Sequence, residues 1–407
     1  MTAYLPPGLP GFAHRSGRLA GESAFDVLAV VNRLRAEGRP IISFGIGEPD
    51  FPTPPNIVEA AKAALDAGMT RYGPSNGLPE LREAIASDVS DTRGIAVDAE
   101  QVVVAPGTKP LIFYTIATLV NEGDEVLYPN PGFPTYESVT RWLGATPVPM
   151  PLTEASEFGC DRDALAAAMT PRTKLIIINS PNNPTGGVLA AVDLAFIAEL
   201  AVQHNCWVLS DEIYSRLVFD GEFLSIASLP GMQDRTIIVD GFSKTFAMTG
   251  WRIGYGVMHP SLASAMARVE TNVESCTATF TQVAAIEALR GPRDEPFRFA
   301  REFAARAEVV VNLLNGIPGI RCARPRGAFY AFPNVSGACK SLGFETADEF
   351  AHALLHEADV AVLPRSCFGA RNTGETDEYF RLTFATSMEQ IHEGIARIKA
   401  FVERGRQ

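Results

Sequence analysis

Five short apolar runs, separated by longer segments of helical character, constrain this chain more than any other feature. They are QVVVA (101–105), EVLYP (125–129), KLIIIN (174–179), CWVLS (206–210) and TIIVD (236–240). Each is too short for an ordinary helix and continuously apolar, which is how a strand buried on both faces of a parallel sheet reads. Segments such as Pro110–Leu119 and Ala191–His204 read as the helices between them. Strand–helix alternation of this kind predicts a doubly wound α/β domain with a mostly parallel sheet. Ligands of such sheets bind beyond the C-terminal strand ends, so a chemical motif should directly follow a strand.

The pattern changes near residue 300. A helix over Arg301–Leu314 precedes short strand-like pieces around 329–332, 361–363 and 380–385, and an amphipathic helix closes the chain over Met388–Val402. This predicts a smaller α+β domain. The chain has 407 residues, more than the roughly 100–200 of one ordinary domain. The expected division is an N-terminal arm and helix over 1–45, joining the small domain, then a large domain over 46–298 and the small domain over 299–407.

Charge and cysteine usage narrow the function classes. Thirty-five basic against forty-seven acidic residues give a net charge of −12, which argues against a nucleic-acid partner, since that needs a basic face. The start, MTAYLPPGLPGFAHR, lacks the charged and then apolar profile of a signal peptide. The longest strongly apolar stretch, Leu111–Val120, is about half of what a membrane span needs. Cysteines 160, 206, 276, 322, 339 and 367 are too scattered for a metal knuckle or a redox pair. They read as free thiols of a reducing cytoplasm.

Four motifs follow predicted strands. After 101–105 comes Gly107-Thr108-Lys109, with Pro110 placed to open a helix. A glycine turn into a helix N-terminus offers unpaired N–H groups to an anion, although an ordinary strand–helix turn has the same composition. After 174–179 comes Ser180-Pro181-Asn182-Asn183-Pro184-Thr185-Gly186, a dense run of turn formers. At the end of 206–210 stands Ser210-Asp211-Glu212-Ile213-Tyr214. A helical turn would point Asp211 and Tyr214 the same way, so that a carboxylate and a phenol could hold one heteroaromatic ring. A helix cap at Ser210 with a packed tyrosine is the plainer alternative. After 236–240 comes GFSKTFAMTGWR, in which Lys244 and Arg252 are the only charges. A lysine among Phe, Ala, Met and Thr is poised for nucleophilic chemistry, because desolvation lowers its pKa.

Together, SPNNPTG, SDEIY and SKTFAMTGWRIGY resemble the class I aminotransferases of the aspartate aminotransferase superfamily, in particular the microbial aspartate and aromatic branch. The resemblance runs from about Phe44 to Thr386. It implies fold type I, pyridoxal 5'-phosphate as cofactor and a homodimer with shared sites. It also implies roles for matching residues. Lys244 would be the Schiff-base lysine and proton shuttle, Asp211 the partner of the pyridinium nitrogen, and Tyr214 and Asn183 the partners of the ring oxygen. Phe133, in PGFPTY, would stack on the ring. Gly107, Thr108, Lys109, Ser243 and Arg252 would hold the phosphate, the arginine by two parallel bonds. Arg381, in FRLTFAT, would clamp the substrate α-carboxylate with Gly47 and Asn183 nearby. Tyr72, in RYGPSNGLPELR, would cross to the phosphate of a second subunit.

One position departs from the pattern. Many relatives carry a phosphate-binding serine three residues before the lysine, and this chain has Gly241 there, with Ser243 as a possible substitute. The implied reaction is ping-pong transamination between an L-amino acid and a 2-oxo acid, with aspartate, glutamate or aromatic donors. A lyase, synthase or oxidase on the same site is the alternative. A transcription regulator with an aminotransferase-like domain would carry a DNA-binding domain ahead of it, where this chain has about forty residues. Side-chain selectivity stays open: Arg15 or Arg18 would suit a dicarboxylate, whereas Phe12, Phe25 and Trp142 would suit an apolar donor.

Overall fold

A computed structural model describes residues 11–21 and 23–405 of the chain. Its strands are β1 (Ile42–Ser43), β2 (Val102–Ala105), β3 (Glu125–Asn130), β4 (Thr146–Pro151), β5 (Thr173–Asn179), β6 (Trp207–Asp211), β7 (Thr236–Gly241), β8 (Gly254–Val257), β9 (Tyr330–Ala331), β10 (Val360–Ala361), β11 (Leu363–Pro364) and β12 (Phe380–Thr383). Seven of them form one sheet in the order β2-β8-β7-β6-β5-β3-β4. All neighbours from β7 through β4 pair in parallel. The fold is therefore the mostly parallel α/β type expected.

Two strands escaped the hydrophobic pattern, for different reasons. β4 reads TPVPMP, and three prolines cannot donate to a ladder. It is tolerated because it lies at the sheet edge, beside β3 alone. β8 reads GYGV and is antiparallel to both neighbours, β2 and β7. This corrects one expectation: 101–105 runs in the same direction as β7, but its hydrogen-bonded partner is antiparallel. The glycines of β8 are there for close packing. A Cβ at Gly254 would stand 2.8 Å from the backbone C of Gly107 and N of Thr108.

Apolar residues of the central strands pack against helices on both faces. Ile177, Leu209 and Val239 meet Leu111, Ile116 and Met266 on one side. Ile176, Ile178 and Val208 meet Leu194, Ile197 and Ala201 on the other. The helix after β2 spans Thr108–Leu119, so Pro110 is its third residue and not its first. The third position also lacks an intrahelical acceptor for its N–H, so proline costs nothing there.

Beyond the sheet, β11, β12 and β9 form an antiparallel sheet, and β1 pairs in parallel with β10. Helices Asp294–Asn315, Ala347–Glu357 and Met388–Arg404 enclose a core rich in phenylalanine, including Phe44, Phe303, Phe329, Phe350 and Phe380. The N-terminal helix Ser23–Ala36 packs on this part through Val31 and Leu34, against Leu355 and Ala361. No helix among the described residues is long and apolar enough to cross a membrane.

Candidate active site

The segments that follow β2, β5, β6 and β7 converge on one cavity of about 680 Å³. Asp211 is the last residue of β6, and Tyr214 follows in a turn closed by Ser215 N donating to Glu212 O (2.8 Å) and Leu217 N donating to Tyr214 O (2.8 Å). Both side chains reach the cavity. The Asp211 carboxylate accepts from Tyr136 Oη at 2.6 Å and from Ile213 N at 3.3 Å. Burial raises its pKa to about 6, against the lowering effect of those two donors. Tyr214 Oη shares a 2.7 Å hydrogen bond with Tyr330 Oη. Burial pushes the Tyr214 phenol well above its ordinary value, so it stays protonated and able to donate.

Lys244 follows β7 and faces the cavity. Its Nζ donates to the Gly47 carbonyl at 2.7 Å and lies 5.7 Å from the Phe329 ring centroid. Desolvation lowers its pKa to about 8, with Glu48 pulling upward and Arg381 and Arg252 adding to the lowering. Glu48 is held in turn by Thr249 Oγ1 at 2.9 Å. A Cβ at Gly47 would overlap the Tyr330 phenol, so a glycine is required where that ring closes over the loop.

Arg381 is on β12 and reaches the same cavity from the C-terminal part of the chain. Its guanidinium lies between the rings of Tyr330 (4.5 Å) and Phe368 (5.0 Å). It donates to Asn183 Oδ1 at 2.8 Å and to the Gly45 carbonyl. Asn183 is fixed through its own N–H, which donates to Asn179 Oδ1 at 2.9 Å, while Asn179 Nδ2 donates to Asp211 O at 3.1 Å. A chain of amides thus links the loop after β5 to the end of β6.

An anion cradle lies at the helix Thr108–Leu119. Gly107 has φ 105°, in the region open mainly to glycine. A Cβ there would collide with the Arg252 guanidinium, which donates to Thr249 O (2.8 Å) and Pro106 O (3.2 Å). Thr108 and Ser243 line the cavity beside Arg252. The first N–H groups of the helix have no intrahelical acceptor, and the helix dipole favours an anion. The geometry also accounts for Gly241. A Cβ there would stand 2.9 Å from Gly254 Cα across the β7–β8 pair, too close for a serine without a shift.

Several residues stand apart from this constellation. Tyr72 lies outside the cavity and is 88% exposed. Arg15 and Arg18 belong to the exposed turn His14–Arg18, and Arg15 lies 5.4 Å from the Trp142 ring. Neither arginine lines the cavity, nor do Trp142 and Phe12, whereas Phe25 does. The sequence reading missed Tyr136, Asn179, Tyr330 and Phe368. Tyr136 carried a usable signal, since it stands three residues after Phe133 at a helix start. Tyr330 and Phe368 carried none, because no spacing connects them to the strand ends that they face.

The arrangement fits a phosphorylated pyridine ring. One end offers N–H groups, hydroxyls and a guanidinium around a glycine that no larger residue can replace. Elsewhere the cavity offers a buried carboxylate at Asp211 and a desolvated amine at Lys244. Among the described residues, no group of His, Cys, Asp and Glu suits a metal ion.

Comparison with known proteins agrees. The family model "Aminotransferase class I and II" matches residues 39–398. An aspartate aminotransferase of Bacillus sp. (strain YM-2) is 38% identical over 393 residues, covering 96% of this chain and 99% of that protein. Aromatic-amino-acid aminotransferase 2 of Thermococcus litoralis is 42% identical over 365 residues, covering 88% and 91%. The crystal structure of the Rhizobium meliloti aspartate aminotransferase superposes with a TM-score of 0.90 at 36% identity, covering 97% and 100%. With that cavity at the strand ends and this likeness along nearly its whole length, the chain belongs to the class I and II aminotransferases and is a pyridoxal-phosphate-dependent enzyme of fold type I.

Proposed function

We propose that the enzyme works by ping-pong transamination between an L-amino acid and a 2-oxo acid, preferring aspartate or glutamate and accepting aromatic donors. The observation that carries this is the meeting of Lys244, Asp211 and Arg381 in one cavity, each from a different element.

When bound, pyridoxal phosphate supplies an electron sink for the bond broken at the donor Cα. The protein selects which bond breaks and moves the proton. Arg381, held between two rings and bonded to Asn183, grips the α-carboxylate and fixes the donor's orientation. Lys244 Nζ takes the Cα proton, and a pKa near 8 keeps enough neutral amine at working pH. The Gly47 carbonyl aims that nitrogen. Asp211 would hold a positive charge at the ring nitrogen, and Tyr136 steadies the carboxylate. Tyr214 and Asn183 would bond the ring oxygen, and Phe133 would cover the ring face. Gly107, Thr108, Lys109, Ser243 and Arg252 would hold the phosphate with the first N–H groups of the helix.

The donor preference rests on charge and wall chemistry. Four cations line the cavity: Lys109, Lys244, Arg252 and Arg381. The Lys109 ammonium lies 5.3 Å from the Phe133 ring and 5.8 Å from the Phe25 ring. The same rings offer apolar surface to an aromatic donor. Exposed Tyr72 reaches the phosphate of a second copy in a homodimer. All six cysteines are unpaired, in keeping with a cytoplasmic enzyme.

The test is a screen of half-reactions, following the cofactor's absorbance as each donor is added to the loaded enzyme. Fast reaction with aspartate and glutamate is expected, and slower reaction with phenylalanine. Ammonia release without an acceptor 2-oxo acid would contradict the proposal and favour a lyase or oxidase.

A further inference from the structure

Arg365 is 1% exposed, one of the largest fully buried side chains in the molecule, and no reacting group touches it. It starts the short 3-10 helix Arg365–Phe368, which places Cys367 and Phe368 in the cavity wall. Its guanidinium is fully used. Nε and Nη2 donate to the two oxygens of Glu375 at 2.6 and 2.9 Å. Nη1 donates to the carbonyls of Phe368 (3.3 Å) and Gly369 (2.9 Å). Nη2 also reaches Ala370 O (3.3 Å) and Asn130 Oδ1 (3.1 Å).

The last of these contacts joins two distant parts of the chain. Asn130 ends β3, directly before the loop that carries Phe133. Its amide donates to Ala370 O at 2.7 Å and to Asn372 Oδ1 at 2.8 Å, and Asn372 Nδ2 returns to Asn130 O at 3.1 Å. Gly132 N donates to Phe368 O at 3.1 Å. Phe133 forms one wall of the cavity, and Phe368 both forms another and covers one face of Arg381. A buried ion pair is a costly way to fill space, and apolar packing is often as stable. What it adds is directional: five N–H groups serve the Glu375 carboxylate, the carbonyls of three successive residues and one amide.

The geometry points to Arg365 as a positioning residue that sets the gap between the Phe133 and Phe368 walls, and so decides which donor side chains fit. This rests on the transaminase reading given above. A loose wall should weaken donor binding and leave the cofactor's chemistry intact, because Lys244 and Asp211 stand on the ends of other strands.

The experiment compares wild type with Arg365→Met and, in case that variant folds poorly, the milder Glu375→Gln. Half-reactions with L-aspartate and L-phenylalanine give half-saturation and limiting rate, and the visible absorbance of the loaded enzyme is titrated with pH. Half-saturation by donor should rise on the order of tenfold, since misplacement by about 1 Å can cost up to 10²-fold. The aspartate-to-phenylalanine ratio should shift severalfold, while limiting rates and the cofactor's titration stay close to wild type. Unchanged half-saturation and ratio in both variants, with wild type reacting normally, would overturn the inference alone. A uniform loss of cofactor signal, limiting rate and stability would also overturn it, making Arg365 purely structural. Wild type that reacts with no donor would overturn the transaminase reading and this inference with it.

Discussion

Asp211 shows how much one hydrogen bond decides at this site. Its folded pKa of about 6 exceeds the ordinary 3.8, so the folded apo-protein holds an extra proton between those values. The sign follows from linkage: the Asp211 contribution to stability is present below pH 3.8 and is lost as pH rises to about 6. The charged form that the ring nitrogen needs is therefore disfavoured by the fold and supported by Tyr136, 2.6 Å away. Tyr136→Phe removes that support and moves the pKa of Asp211 further upward. The acid limb of the apo-enzyme's cofactor-binding profile should shift to higher pH, with little change above pH 8. A limb that stays in place would show that Tyr136 does not tune Asp211.

At the scale of elements, the site is built where strands end. The carboxyl ends of β6 and β7 are locked from beneath by buried Arg93, which pairs with Glu212 (3.0 Å) and Asp240 (2.5 Å). Asp211 and Lys244 thus stand on two strands with a common anchor. The sequence made these strands legible because apolar runs bounded by turn formers have few other solutions, and the motifs after them inherited that clarity. β4 and β8 were illegible because prolines and glycines obey constraints of edge and contact, which hydrophobic pattern does not register. Gly241 belongs to the same class: in the sequence it looks like a missing serine, and in the fold it is a steric requirement. Gly241→Ser should destabilise the protein by about 1–3 kcal/mol through overpacking, without tightening the cofactor. Denaturant titration and cofactor dissociation rates measure the two halves. A serine variant that is as stable as wild type and retains cofactor longer would refute the steric account.

At the scale of the molecule, two parts of the chain share one cavity. The N-terminal and C-terminal segments supply Phe25, Gly47, Tyr330, Cys367, Phe368 and Arg381 among others, and the segments after the strands of the large sheet supply the remainder. This is why half of the substrate pocket was hidden in the sequence: β9, β11 and β12 are two to four residues long and have no period to read. Arg381 was found through family resemblance, while its aromatic neighbours were not. The same scale applies to Tyr72, which stands outside its own cavity at 88% exposure. Tyr72→Ala should speed cofactor loss from the assembled enzyme by roughly tenfold, in line with removal of one charge-assisted bond. Mixing this variant with Lys244→Ala should restore some activity in hybrid dimers. Absence of any such complementation would place Tyr72 outside the partner's site.

The central claim, transamination through Lys244, has a direct measurement. L-aspartate labelled with ¹⁵N is incubated with 2-oxoglutarate and the loaded enzyme, and the label is followed in glutamate and in free ammonium. The wild type should place the label in glutamate, release no labelled ammonium, and lose the transfer completely in Lys244→Ala. Label appearing as ammonium, or transfer that survives the loss of Lys244, would contradict the account.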